Sequence, residues 1–193
     1  MAHLSNSETP APLTRRSFLG KAFAAGAGLA LLSAPDIVRA TQLARKRTLS
    51  FYHTHTDEEL EVAYTVGRIY NPVALTRINQ FLGDFRTGEV HAIDPRLLDI
   101  LWALQARSGR PGVFSVISGY RSPQTNAYLQ GRRKNSGVAT KSLHMEGRAI
   151  DVRFSELSTD QLRDCAIDLE TGGVGFYPKS DFLHLDTGDF RTW

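Results

Sequence analysis

The chain has 193 residues, 41% hydrophobic and 22% charged, a globular balance that excludes a disordered, collagen-like or disulfide-scaffold protein. Its formal net charge is +3, with no block of five like charges, too weak a bias to argue for nucleic acid as a partner. The one cysteine, Cys165, cannot close an internal disulfide, so a packed core or a metal must hold the domain together.

In chain order, the first signal is Arg15-Arg16-Ser17-Phe18-Leu19, followed by the small, weakly apolar run from Ala22 to Ala34. Those 13 residues fall short of the ~20 that span a bilayer, so the run reads as the apolar part of an export signal and no stable membrane anchor is expected. Paired arginines before Phe-Leu match the twin-arginine type, and Val38-Arg39-Ala40 offers a cleavage point. Residues 1–40 are therefore expected to be a twin-arginine signal peptide. Residues 41–193 remain as one extracytoplasmic, periplasmic domain with 19 basic and 18 acidic residues.

Alternation at Leu49 and Phe51, then at Leu60, Val62, Tyr64 and Val66, predicts two strands joined by the polar stretch from His55 to Glu59. Asn71-Pro72, Asp94-Pro95 and Ser122-Pro123 each pair a capping side chain with a proline suited to the first helical turn. The first helix carries Leu75, Ile78, Leu82 and Phe85 at helical spacing, and the second Leu97, Leu98, Leu101 and Trp102. Val113–Ile117 is a short β-branched run between the second and third helices, and reads as a buried strand. Ser158 with Gln161 is a capping box that opens a fourth helix, placing Cys165 as a small buried hydrophobe, and Gly172-Gly173 closes it. Strands near 174–177 and 182–186 follow. The expected class is α+β, a small, mainly antiparallel sheet flanked by helices.

The densest chemistry is Ser142-Leu143-His144-Met145-Glu146-Gly147-Arg148-Ala149-Ile150-Asp151, with Phe182-Leu183-His184-Leu185-Asp186 some thirty residues on. His144, Asp151 and His184 offer two nitrogens and an oxygen, a donor set that suits a catalytic zinc with one position left for water. Calcium would want more carboxylates, and thiolate sites are excluded by the single cysteine. The same three residues also suit a hydrogen-bonded core. Upstream, Ser118-Gly119-Tyr120-Arg121-Ser122 places Arg121 at the end of a strand, where binding groups commonly sit.

The set S-G-Y-R-S, S-x-H-x-x-G-x-A-x-D and F-x-H-x-D closely resembles the zinc peptidoglycan peptidases of the D-Ala-D-Ala carboxypeptidase clan. The resemblance runs over nearly all of the chain beyond the export signal, through Gly172-Gly173-Val174-Gly175-Phe176-Tyr177-Pro178 to Arg191-Thr192-Trp193. It implies a fold shared with hedgehog N-terminal domains, a Zn2+ cofactor on His144, Asp151 and His184, and hydrolysis of amide bonds in the peptide part of peptidoglycan. Arg121 is the expected group for the substrate carbonyl or carboxylate. Asp181, three positions before the last histidine as in dipeptidase-type relatives, is the first candidate for the general base; Asp186, on the same strand face as His184, is its competitor, and Glu146 comes third. Asp186 also suits a role of holding an imidazole in the right tautomer.

His53-Thr54-His55 puts two imidazoles on one strand face; a cleft-rim or edge role is expected because the pair lies outside the ligand set. A murein endopeptidase cutting cross-links is the leading expectation, acting on a peptidoglycan peptide as a monomer. A D,D- or L,D-carboxypeptidase on stem peptides and a non-catalytic zinc-containing wall-binding module are the alternatives.

Overall fold

A computed structural model describes residues 46–132 and 137–193; the expected signal peptide lies outside the described residues. Among these, strands run at Lys46–His53 (β1), Glu59–Val66 (β2) and Ile69–Tyr70 (β3). Helices Pro72–Phe81 (α1) and Pro95–Ser108 (α2) follow, then strand Val113–Ser118 (β4) and helix Pro123–Gly131 (α3). A 3-10 turn at Leu143–Glu146 leads into strand Ala149–Phe154 (β5) and helix Thr159–Ile167 (α4). Strands Gly173–Tyr177 (β6), Phe182–Asp186 (β7) and Arg191–Thr192 (β8) complete the order.

The predicted caps are in place because each rests on local chemistry. Asn71 accepts from the N–H groups of Val73 and Ala74, Asp94 from Arg96, and Ser122 from Thr125, each with proline in the first turn. Ser158 and Gln161 complete both halves of their box. Phe85 is the exception: α1 stops at Phe81, and Phe85 lies beyond it, stacked on His55 with ring centres 4.2 Å apart.

The eight strands form one sheet ordered β3-β2-β1-β4-β5-β7-β6-β8. Only β1 with β4 and β6 with β8 pair in parallel, so the sheet is mainly antiparallel as expected for the α+β class. Alternation then separates its two faces. Ile150, Val152 and Phe154 of β5, with Leu183 and Leu185 of β7, join the core against Leu97, Leu101, Leu104 and Leu162 of the helices. Asp151, His184 and Asp186 alternate with them and project from the opposite face, which is where the chemistry lies.

Candidate metal centre

Sheet register brings distant residues together. Asp151 on β5 is the direct antiparallel partner of His184 on β7, a relation that sets Cβ atoms about 5 Å apart. His144 comes from the 3-10 turn just before β5, and the chain enters that strand through Gly147, whose φ is +65°. A Cβ there would lie 2.1 Å from the carbonyl oxygen of Ala92, so only glycine lets the turn close against its neighbour.

Three atoms form a tight triangle. His144 Nε2 is 3.2 Å from Asp151 Oδ1 and 3.2 Å from His184 Nδ1, while His184 Nδ1 is 2.9 Å from Asp151 Oδ1. Four ligands placed tetrahedrally at 2.0–2.1 Å from zinc stand about 3.3 Å from one another, so the triangle is close to one face of such a site. The outward ring nitrogens are already committed. His144 Nδ1–H donates to the Gly119 carbonyl at 2.7 Å, and His184 Nε2–H to Asp186 Oδ2 at 3.1 Å. With those protons outside, both neutral rings turn lone pairs toward the Asp151 carboxylate, and three electron-rich atoms face each other. With the ring protons placed outside, a cation at the centre, a proton or a metal ion, satisfies such a triangle, and the residues fit a metal; outer partners of this kind also fix ring tautomers in metal sites.

The protonation pattern of the metal-free chain agrees. Burial pushes the His144 imidazole below its ordinary value. Burial opposes ionisation of Asp151, but its bonds and charge interactions with His144 and His184 outweigh that and hold it well below the usual carboxylate range. Burial likewise lowers His184, yet Asp151 and Asp186 prevail and push it up to about 9. A proton on His184 thus takes the cation's place. Because this value lies above the ordinary 6.5, the proton stabilises the metal-free fold fully below about pH 6.5, and that contribution is lost as pH climbs through about 9. Metal uptake at pH 7 is expected to expel about one proton. Calorimetry in buffers of different ionisation enthalpy reads this directly, and a slope of zero would contradict it.

Arg121 sits beside the triangle on the loop after β4. Its Nη2 is 3.4 Å from Asp151 Oδ2 and 3.4 Å from Ser118 Oγ, its Nη1 is 3.5 Å from Asn126 Oδ1, and its buried Nε has no hydrogen-bond partner. These long contacts leave a buried guanidinium with unused donor capacity facing the cleft. The loop is fixed by its own backbone: Arg121 N–H donates to the His144 carbonyl at 3.1 Å, and buried Asp84 accepts from Ser122 N–H and Oγ–H at 2.9 and 2.7 Å. The cleft, about 480 Å³, is lined by the triangle, Arg121, Lys141, Tyr177, Phe182, Asp186, Arg191 and Trp193.

The acidic candidates for the base divide differently from the sequence expectation. Asp181 is not brought to the cluster. It occupies the turn before β7 at φ +50°, where its carboxylate accepts from Thr159 Oγ1 at 2.6 Å, pairs with Arg153 at 3.0 Å and lines a separate depression. The left-handed backbone at Asp181 redirects a side chain that sequence spacing alone aims at His184. Asp181→Ala is expected to leave turnover within about twofold and cost under ~1 kcal/mol, the range of an exposed ion pair; initial rates and thermal melts check both. Glu146 is exposed and pairs with Arg148 at 3.0 Å. Asp186 does touch the cluster, but as an acceptor: besides His184, it takes Arg191 at 3.0 and 2.7 Å and the N–H groups of Gly173 and Gly188 at 3.1 and 2.8 Å. Burial opposes its ionisation, yet these bonds hold its carboxyl well below the usual range. Its Oδ2 stands 3.1 Å from His184 Nε2, on the side of the ring away from the triangle.

His53 and His55 lie away from the triangle. Their rings are 6.0 Å apart and pack on Phe85 and, for His53, Phe81. Cys165 packs against the core but is half-buried, less enclosed than the sequence reading has it. The aromatic wall of the cleft, Tyr177, Phe182 and Trp193, carried no sequence signal for a site beyond the presence of rings near the recognised motif.

Residues 41–193 match the Peptidase_M15_2 family model, described as Peptidoglycan L,D-endopeptidase MepK. Peptidoglycan L,D-endopeptidase MepK of Escherichia coli (strain K12) is 37% identical over 166 residues, 86% of this chain and 90% of that protein. The probable peptidoglycan L,D-endopeptidase MepK of Haemophilus influenzae is 38% identical over 150 residues, 77% of this chain and 80% of that protein. A histidine-aspartate-histidine triangle on the open face of an α+β sheet, inside a match spanning residues 41–193, places this chain in the MepK family of M15 peptidases.

Proposed function

We propose that this peptidoglycan endopeptidase uses zinc, held by His144, Asp151 and His184, to hydrolyse an amide between an L- and a D-configured centre in cell-wall cross-links. The L,D designation is that of the relatives. The observation that carries the reading is the triangle of two ring nitrogens and one carboxylate oxygen, with both outward ring nitrogens already within hydrogen-bond distance of an acceptor. Two imidazoles and one carboxylate match the ligand types of catalytic zinc and leave a position open. When bound, the ion supplies a Lewis acid that polarises a carbonyl and brings the pKa of its water toward about 7.

The chain's own residues supply the rest. Asp186 and the Gly119 carbonyl keep the two rings in the tautomer that turns a lone pair inward. Arg121, buried and incompletely bonded, binds the substrate carbonyl oxygen and stabilises the negative charge that develops there. Lys141 adds positive charge to a cleft that receives a carboxylate-bearing peptide.

Export by the twin-arginine route with cleavage after Ala40 is part of this proposal, and so is action as a monomer in the periplasm. Supporting it are the Arg15-Arg16 motif and a family match that starts at residue 41. Among the described residues no helix is long and apolar enough to cross a membrane.

Digestion of purified sacculi with and without a chelator, followed by chromatography of the muropeptides, tests the reading. Cross-linked dimers should disappear, chelator should prevent this, and added zinc should restore it. Shortened stem peptides with intact dimers would indicate a carboxypeptidase instead, and zinc retention without any released product a binding module.

A further inference from the structure

One wall of the cleft has no part in the chemistry above, yet the sequence makes room for it. Trp193 continues the line of β8 along β6, its N–H donating to the Val174 carbonyl at 3.2 Å and its carbonyl accepting from Phe176 N–H at 2.9 Å. These bonds lay the indole beside His184, with ring centres 5.3 Å apart and planes inclined at 51°. Its Nε1–H donates to the Tyr177 hydroxyl at 2.9 Å, and the Arg191 guanidinium lies 5.0 Å from its centre. Tyr177 in turn stacks on Phe182 at 4.6 Å. Although held on several sides, Trp193 keeps 50% of its surface exposed and lines the cleft.

Glycines in β6 explain how the ring fits. A Cβ at Gly175 would lie 2.6 Å from the indole carbons Cε2 and Cζ2, and one at Gly173 only 2.5 Å from Arg191 Nη1. Glycine inside a strand weakens it and often marks close approach of another group. Here two glycines on the site face of one strand vacate the space taken by the guanidinium and the ring. A rigid, half-exposed aromatic face anchored beside a metal ligand suits a substrate contact, because an indole buries a large apolar area with little rotamer entropy to lose.

We propose that Trp193 is a specificity-determining residue: its indole face, seated on Gly175, packs against the aliphatic part of the amino acid on one side of the scissile amide. The inference rests on the endopeptidase reading above and assigns the wall to peptide, not to glycan.

Steady-state kinetics on a glycan-free, cross-linked peptide dimer test it, with metal content and melting temperature measured for every variant. Trp193→Ala should raise KM about tenfold while kcat stays within about threefold and metal is retained, the pattern of lost binding that is equal in ground and transition states. Trp193→Phe should recover most of the loss. Gly175→Ala, which displaces the indole, should raise KM by itself but add nothing in the Trp193→Ala background, a non-additivity that a general weakening of β6 would not produce. An unchanged KM for Trp193→Ala, a loss confined to kcat with metal released, or an effect seen only on glycan-bearing substrate would each overturn the proposal. If the unaltered protein leaves the dimer uncut, the endopeptidase reading falls and takes this one with it. A cut dimer with indifferent Trp193 variants sinks the Trp193 assignment alone.

Discussion

Asp151→Asn is expected to abolish hydrolysis, by at least about 10³-fold, together with loss of tightly bound metal. The carboxylate is the shared vertex of the triangle, meeting His144 at 3.2 Å, His184 at 2.9 Å and Arg121 at 3.4 Å. Removing its charge takes away one ligand and leaves the buried Arg121 without its anion, a change that costs about 3–5 kcal/mol when a buried pair loses one member. Metal analysis and circular dichroism on the same sample separate the two effects. Asp186→Asn provides the contrast, since an outer partner of a metal-bound imidazole is worth about 10- to 100-fold in metal affinity. Excess zinc should therefore rescue Asp186→Asn and fail to rescue Asp151→Asn. Equal rescue of both would remove Asp151 from the ligand set.

Arg121→Lys carries the second large effect, a fall in kcat of about 10²- to 10³-fold with metal content unchanged. That range is what one missing donor to a developing oxyanion costs elsewhere. Lysine keeps the charge but concentrates it at one strongly hydrated point, losing the planar set of donors. In this chain the guanidinium spans Ser118, Asn126 and Asp151 at once, and its Nε is left buried without a partner. A lysine-substituted enzyme with unaltered kcat would reduce Arg121 to an ion-pair partner of Asp151.

What the sequence disclosed follows the range of the forces involved. Helix starts at Asn71, Asp94, Ser122 and Ser158 are legible because a cap satisfies backbone groups within three residues of itself. The ends are less so: the apolar spacing continues through Phe85, but α1 ends at Phe81 and the chain turns through Gly83, whose backbone N–H bonds the Gln80 carbonyl. The donor types at 144, 151 and 184 are visible as motifs, whereas their meeting depends on the pairing of Asp151 with His184 across two strands. Asp181 shows the opposite case, a spacing that suggests a role which one left-handed backbone position then redirects toward Arg153 and Thr159. Trp193 was illegible as part of a site because its place is set by parallel pairing of β8 with β6 and by the missing side chain at Gly175.

Anomalous diffraction at the zinc absorption edge, on crystals of the protein purified without added metal, addresses the central claim most directly. One peak per chain is expected, about 2.0–2.2 Å from His144 Nε2, Asp151 Oδ1 and His184 Nδ1. A peak bound elsewhere, or a site at full zinc saturation in which these three atoms hold only a proton among them, would contradict the account.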